Sequence, residues 1–222
     1  MSSAIKNRTL PDYTRGEECM NMVTHIVGGG FGVVALVLGL VVAAMHQNTW
    51  GVVTAAIYGV SMVAVYTVSS IYHGLHAGKA KVVMRTIDHC TIYLLIGGTY
   101  TPILLCSIRP LSPVTAWGLF ALVWGLAALA ITLTAIDMKR YSVFSMICYV
   151  GMGWCILLDV QTAYTALGHT GFLLLLFGGI AYTIGAVLYG IGKKLRYIHA
   201  VFHIFVVLGS VLQYLSVVLY VL

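Results

Sequence analysis

The sequence predicts an all-α polytopic membrane protein: a seven-transmembrane helix bundle with a cytoplasmic amino terminus and the carboxyl terminus outside. Three observations predict it. The chain is 60% hydrophobic and 8% charged, with a mean hydropathy of +0.98, where a soluble domain carries about 25% charged residues. The 60 residues between Glu18 and Lys79 include no Asp, Glu, Lys or Arg; at about 1.5 Å rise per residue that is too long for one crossing of a roughly 30 Å hydrocarbon core and fits two. All but one of the 12 Lys and Arg residues fall in alternate connections, as the positive-inside rule requires of a single bundle.

Residues 1–20 are polar and mixed in charge, and read as a cytoplasmic segment with no cleavable leader evident; residues 21–222 read as one transmembrane domain. The first span, about 21–45, ends at the polar His46-Gln47-Asn48-Thr49. The second covers about 51–75. The third, about 87–108, stops before Arg109-Pro110, and the fourth covers about 113–136. The fifth, about 141–159, ends at Asp159; the sixth covers about 171–191 and the seventh about 197–221. Gly28-Gly29-Gly30 and Gly178-Gly179 suit close helix packing in lipid. Lys6, Arg8 and Arg15 precede the first span; Lys79, Lys81 and Arg85 follow the second; Lys139 and Arg140 follow the fourth; Lys193, Lys194 and Arg196 follow the sixth. Arg109 alone lies on the opposite side. The expected location is the cell inner (plasma) membrane.

Composition excludes several classes. The net charge of +6 sits in short loops without interleaved aromatics, so nucleic acid is not an expected partner; the bilayer is. The five cysteines form no CxxC pair and read as small apolar residues rather than a disulfide framework. The seventh span has no lysine for a Schiff base, which disfavours retinal.

The chemistry concentrates in histidine. His199 and His203 open the seventh span four residues apart, on one helix face, in a stretch that runs to Leu222 without a charge. Such residues inside a membrane are costly and point to function. With the topology above, His73 and Ser69 of the second span and Asp88 of the third come to a similar depth. Three imidazoles from two helices make a His₃ set with a fourth position open, the layout of a catalytic zinc. Zinc lowers the pKa of water towards about 7, and Asp88 is placed to take or orient a proton, with Ser69 assisting. His25 and His89 lie at similar depth and stay open as ligands. His76 reads as solvated, His46 and His169 as loop residues, Asp159 as interfacial, Asp137 as a partner of Lys139, Arg140 or water, and Trp50, Tyr141 and Tyr197 as interface-belt aromatics.

Glu17-Glu18-Cys19-Met20-Asn21-Met22-Val23-Thr24-His25, Ser69-Ser70-Ile71-Tyr72-His73, Asp88-His89-Cys90-Thr91-Ile92-Tyr93 running into Gly98-Thr99-Tyr100-Thr101-Pro102, and His199-Ala200-Val201-Phe202-His203 together resemble the bacterial hemolysin III family of the progestin and adipoQ receptor superfamily. The resemblance covers nearly the whole chain. It implies a seven-helix bundle with a zinc ion near the inner leaflet, held at His73, His199 and His203, with Asp88 contacting the water on the metal and Ser69 beside it. The superfamily also includes adiponectin receptors and, more distantly, alkaline ceramidases. The expected function is therefore a zinc-dependent hydrolase of a membrane lipid amide or ester, acting in membrane homeostasis. The alternatives are a non-enzymatic sensor with structural zinc and a pore-forming, hemolysin-like protein.

Overall fold

In the computed structural model, residues 10–191 and 195–222 are described; Lys6, Arg8, Lys193 and Lys194, on which part of the orientation argument rests, lie outside them. The protein is an all-α, multi-pass membrane protein, with six candidate transmembrane helices by length and composition among the described residues. Its elements are α1 (Arg15–Met45), α2 (Thr49–Gly74), α3 (Lys79–Pro102) continuing as a π-helical segment (Ile103–Ile108), α4 (Pro113–Asp137), α5 (Ser142–Gly153) with a 3₁₀ turn (Cys155–Asp159), α6 (Val160–Ile191) and α7 (Ile198–Tyr220).

Local chemistry sets the boundaries. Thr14 caps α1 through a capping box with Glu17: its amide donates to Glu17 Oε2 at 2.8 Å and its hydroxyl accepts from the Glu17 amide at 3.3 Å, so α1 starts earlier than the apolar run at Asn21 indicates. Asn48 caps α2 by accepting from the Gly51 amide at 2.8 Å. Pro102 lacks the N–H that continues an α ladder, and the helix widens into the π turn immediately after it. Pro113 occupies the first turn of α4, where its missing donor costs nothing.

The sequence indicates seven spans; the difference from six lies between Ser142 and Ile191. The polar run Gln161–Thr170 reads as a loop, yet Val160 to Leu167 stays helical because Ala163 and Leu167 are buried. The chain instead breaks at Gly168, with φ 66° and ψ 175°, a conformation only glycine adopts without strain. Upstream, the Tyr100 hydroxyl donates to the Gly153 carbonyl at 3.0 Å and accepts from the Ile156 amide at 2.9 Å, covering backbone groups released where α5 passes into the 3₁₀ turn.

The packing is inverted relative to a water-soluble protein. Valine, leucine and isoleucine cover the outer face of α1, including Val27, Val34, Val37 and Val41. Its inner face is Glu17, Asn21, His25, Gly28, Gly32, Ala35, Gly39 and Ala43. Polar side chains and small residues inside, branched apolar ones outside, is the arrangement lipid selects. α1 packs most extensively on α2, and α6 on α7. The minor polar sites settle locally: Asp137 accepts from the backbone amides of Lys139 and Arg140, Asp159 accepts from the Thr115 hydroxyl at 2.9 Å, and Arg109 lies over the Trp50 ring at 4.2 Å.

Candidate metal centre

α7 is tethered at its start. The Tyr197 amide, in a left-handed conformation, donates to Glu17 Oε1 at 2.9 Å, which fixes the first turn of α7 beside the first turn of α1. His199 and His203 then face the bundle one turn apart, with Nε2 to Nε2 at 3.1 Å. His203 is 2% exposed, and its Nδ1 meets the Asn21 carbonyl at 3.2 Å. A carbonyl only accepts, so this Nδ1 carries the proton and Nε2 keeps its lone pair.

His73, near the end of α2, is fixed in the same way. Its Nδ1 donates to Glu18 Oε2 at 2.7 Å, while Nε2 is buried without a hydrogen-bond partner. Glu18 is itself held by Lys81 Nζ, 2.8 Å from Oε1. Lys81, almost fully buried, also donates to the Leu75 carbonyl at 2.8 Å and the His73 carbonyl at 3.4 Å. The lysine thus ties the end of α2 to the carboxylate that orients His73.

One ligand atom from each of His73, His199 and His203 lies within 4.8 Å of the other two. This buried triad can hold a metal ion. Two nitrogens bound about 2.0–2.1 Å from a tetrahedral ion stand roughly 3.3–3.4 Å apart, close to the separation of His199 and His203. The unpartnered Nε2 of His73 is an uncompensated polar atom that a cation would satisfy, and the Nδ1 contacts to a carboxylate and a carbonyl are those that ligating histidines make.

Asp88 and Ser69 are not part of the triad but adjoin it. Both residues line a cavity of about 580 Å³ together with His199 and His203. Away from these groups the cavity passes between α3, α5, α6 and α7, against apolar residues such as Ile103, Phe172 and Leu175.

The histidines left open by sequence separate here. His89 has its Nδ1 at 2.9 Å from the Arg85 carbonyl and its Nε2 at 3.1 Å from the Tyr189 hydroxyl, so both nitrogens are engaged away from the triad. His25 stacks on His203 with centroids 3.7 Å apart and both its nitrogens lack partners, yet it lies outside the triad. His76 is exposed, His46 Nδ1 meets the Leu222 carbonyl, and His169 meets the Tyr164 hydroxyl.

Sequence reasoning missed three parts of the centre: Glu18, Lys81 and Tyr13. Tyr13 stacks on His199 at 5.1 Å, and burial raises the pKa of its phenol. A signal for α1 existed: Glu18, Asn21 and His25 fall three and four residues apart on one face of an otherwise apolar helix.

The family described as Haemolysin-III related matches residues 13–214. The chain belongs to the haemolysin-III related family. This haemolysin-III relative is 39% identical to Hemolysin-3 of Bacillus cereus over 207 residues, covering 93% of this chain and 92% of that one. It is 38% identical to the Hemolysin-3 homolog of Bacillus subtilis (strain 168), over 94% and 96% of the two chains. It is 28% identical to the Monocyte to macrophage differentiation factor of Homo sapiens, over 90% and 83%. All of the haemolysin-III chain's triad residues, with Asp88 and Ser69, lie inside the family match.

Proposed function

We propose that this haemolysin-III relative is a zinc-dependent intramembrane hydrolase that cleaves the amide or ester of a membrane lipid. The observation that carries the reading is the junction of two features: three imidazoles with ligand nitrogens within 4.8 Å of one another, and a largely apolar cavity that reaches His199 and His203 beside Asp88 and Ser69. His73, His199 and His203 are the ligands. Bound there, zinc supplies Lewis acidity and brings the pKa of water towards about 7.

The chain's own groups do the rest. Glu18 and the Asn21 carbonyl keep His73 and His203 in the tautomer with Nε2 free. Asp88 accepts the proton of the water whose oxygen adds to the lipid carbonyl, and returns it to the amine or alkoxide that leaves as the carbon–nitrogen or carbon–oxygen bond breaks. Ser69, which lines the same cavity as Asp88, orients the carboxylate as the substrate enters. The apolar cavity walls hold the acyl chain and exclude bulk water.

This reading carries a topology. The stretch from Ser142 to Ile191 is 50 residues long, about 75 Å were it one continuous helix, more than twice a bilayer core. Crossing twice, with the reversal at Gly168, restores seven spans. The amino terminus and the basic connections then face the cytoplasm, the triad sits at the cytoplasmic leaflet of the inner membrane, and the carboxyl terminus lies outside.

Metal analysis of the purified protein comes first: about one zinc per chain is expected, lost in His199→Ala with His203→Ala. Lipid profiling of cells with and without the protein then tests hydrolysis. Asp88→Asn separates this function from a sensor with a structural metal: a hydrolase keeps its zinc and loses turnover by a factor on the order of 10²–10⁴, whereas unchanged profiles between wild type and null cells sink the enzymatic reading.

A further inference from the structure

Deeper in the cavity, the apolar wall is interrupted. Ser210 and Gln213 follow His203 along α7 at seven and ten residues, which keeps all three on the same side of the helix. Ser210 is held from both flanks, accepting from the Tyr66 hydroxyl at 2.6 Å and meeting the Tyr182 hydroxyl at 2.6 Å. Gln213 is different. It is 8% exposed and lines the cavity together with Tyr182 and Thr99, yet its amide makes no hydrogen bond among the described residues. Its methylene stem is pressed against Gly178, so the head has little freedom to turn elsewhere. A carboxamide offers two donors and an acceptor; leaving them unpaired in a low-dielectric site is costly. An all-carbon chain cannot satisfy them.

We propose that Gln213 is a second recognition point that takes a hydroxyl or keto oxygen borne on the lipid chain itself, remote from the end that reacts. Ten residues of helix place it about 15 Å along the axis from His203, a mid-chain position for a lipid whose carbonyl reaches the triad. The substrate class is then a lipid amide or ester with an oxygenated acyl chain. The inference rests on the reading that the cavity holds a lipid chain, and the test separates the two.

Oleic acid and ricinoleic acid differ by one mid-chain hydroxyl. Each is used to displace a fluorescent fatty acid from the zinc-loaded protein in detergent, for wild type and for Gln213→Met, with metal content and melting as controls on folding. Wild type is expected to bind ricinoleic acid about tenfold more tightly, the worth of roughly one buried hydrogen bond, and Gln213→Met to bind the two acids equally with its zinc intact. Equal displacement by both acids in wild type, or a preference that survives in Gln213→Met, overturns the role of Gln213 and leaves the lipid cavity standing. Displacement by neither acid overturns the lipid cavity and this inference together. Should Gln213→Met not fold, the wild-type comparison alone decides.

Discussion

His199 and His203 were legible because their spacing states their geometry: four residues apart in a helix means one face, and no charge nearby offers another explanation. His73, Asp88 and Ser69 followed from the expected topology, which puts them at a similar depth. Glu18 was not legible, since an acid in the first turn of a helix has an ordinary explanation in the helix dipole. Only the fold shows it 2.7 Å from His73 Nδ1. Its role is open to test. Glu18→Gln is expected to weaken metal affinity by about 10–100-fold while keeping the secondary structure, measured by competition with a chromogenic chelator. Lys81→Met is expected to lower metal affinity as well, because it removes the cation that holds both Glu18 and the end of α2.

Among the elements, helix existence and most boundaries were readable from apolar runs and caps. The α5–α6 region was not. A polar run between two apolar ones looks like a loop, and burial of Ala163 and Leu167 through tertiary contact overrides it. The irregular turn there depends on Tyr100. Tyr100→Phe removes an acceptor for the Ile156 amide and a donor to the Gly153 carbonyl, and is expected to destabilise the protein by about 1–3 kcal/mol, measured by thermal unfolding in detergent. The α1–α2 pair rests on close approach: a Cβ at Gly59 would stand 2.7 Å from Leu36 Cα. Because backbone cannot swing aside, Gly59→Ala is expected to cost on the order of 1–3 kcal/mol, whereas Gly30→Ala, with open space around it, is expected to change the melting temperature little.

For the whole molecule, membrane class was readable from composition alone, because a chain with so few charges has nothing to solvate it in water. The cavity was not, since an empty volume is a property of packing between distant segments and leaves no periodicity behind. Orientation is a whole-chain property too, and the proposed arrangement has a direct measurement. In a cysteine-free background, a cysteine at Val114, 86% exposed at the start of α4, is expected to react with a membrane-impermeant maleimide added to spheroplasts, and one at Lys79 only after lysis.

The contact between Glu17 and the Tyr197 amide spans 180 residues, and it joins α1 to the much later-made α7. At about 5–20 residues per second, roughly 10–40 s separate their emergence from the ribosome. Glu18 and Asn21, and later His73, are made while their partners on α7 do not yet exist. The centre is therefore a late event: a chain stalled before α7 carries the acid and one imidazole but no triad, and a full set of three ligands marks a polypeptide whose α7 has been made.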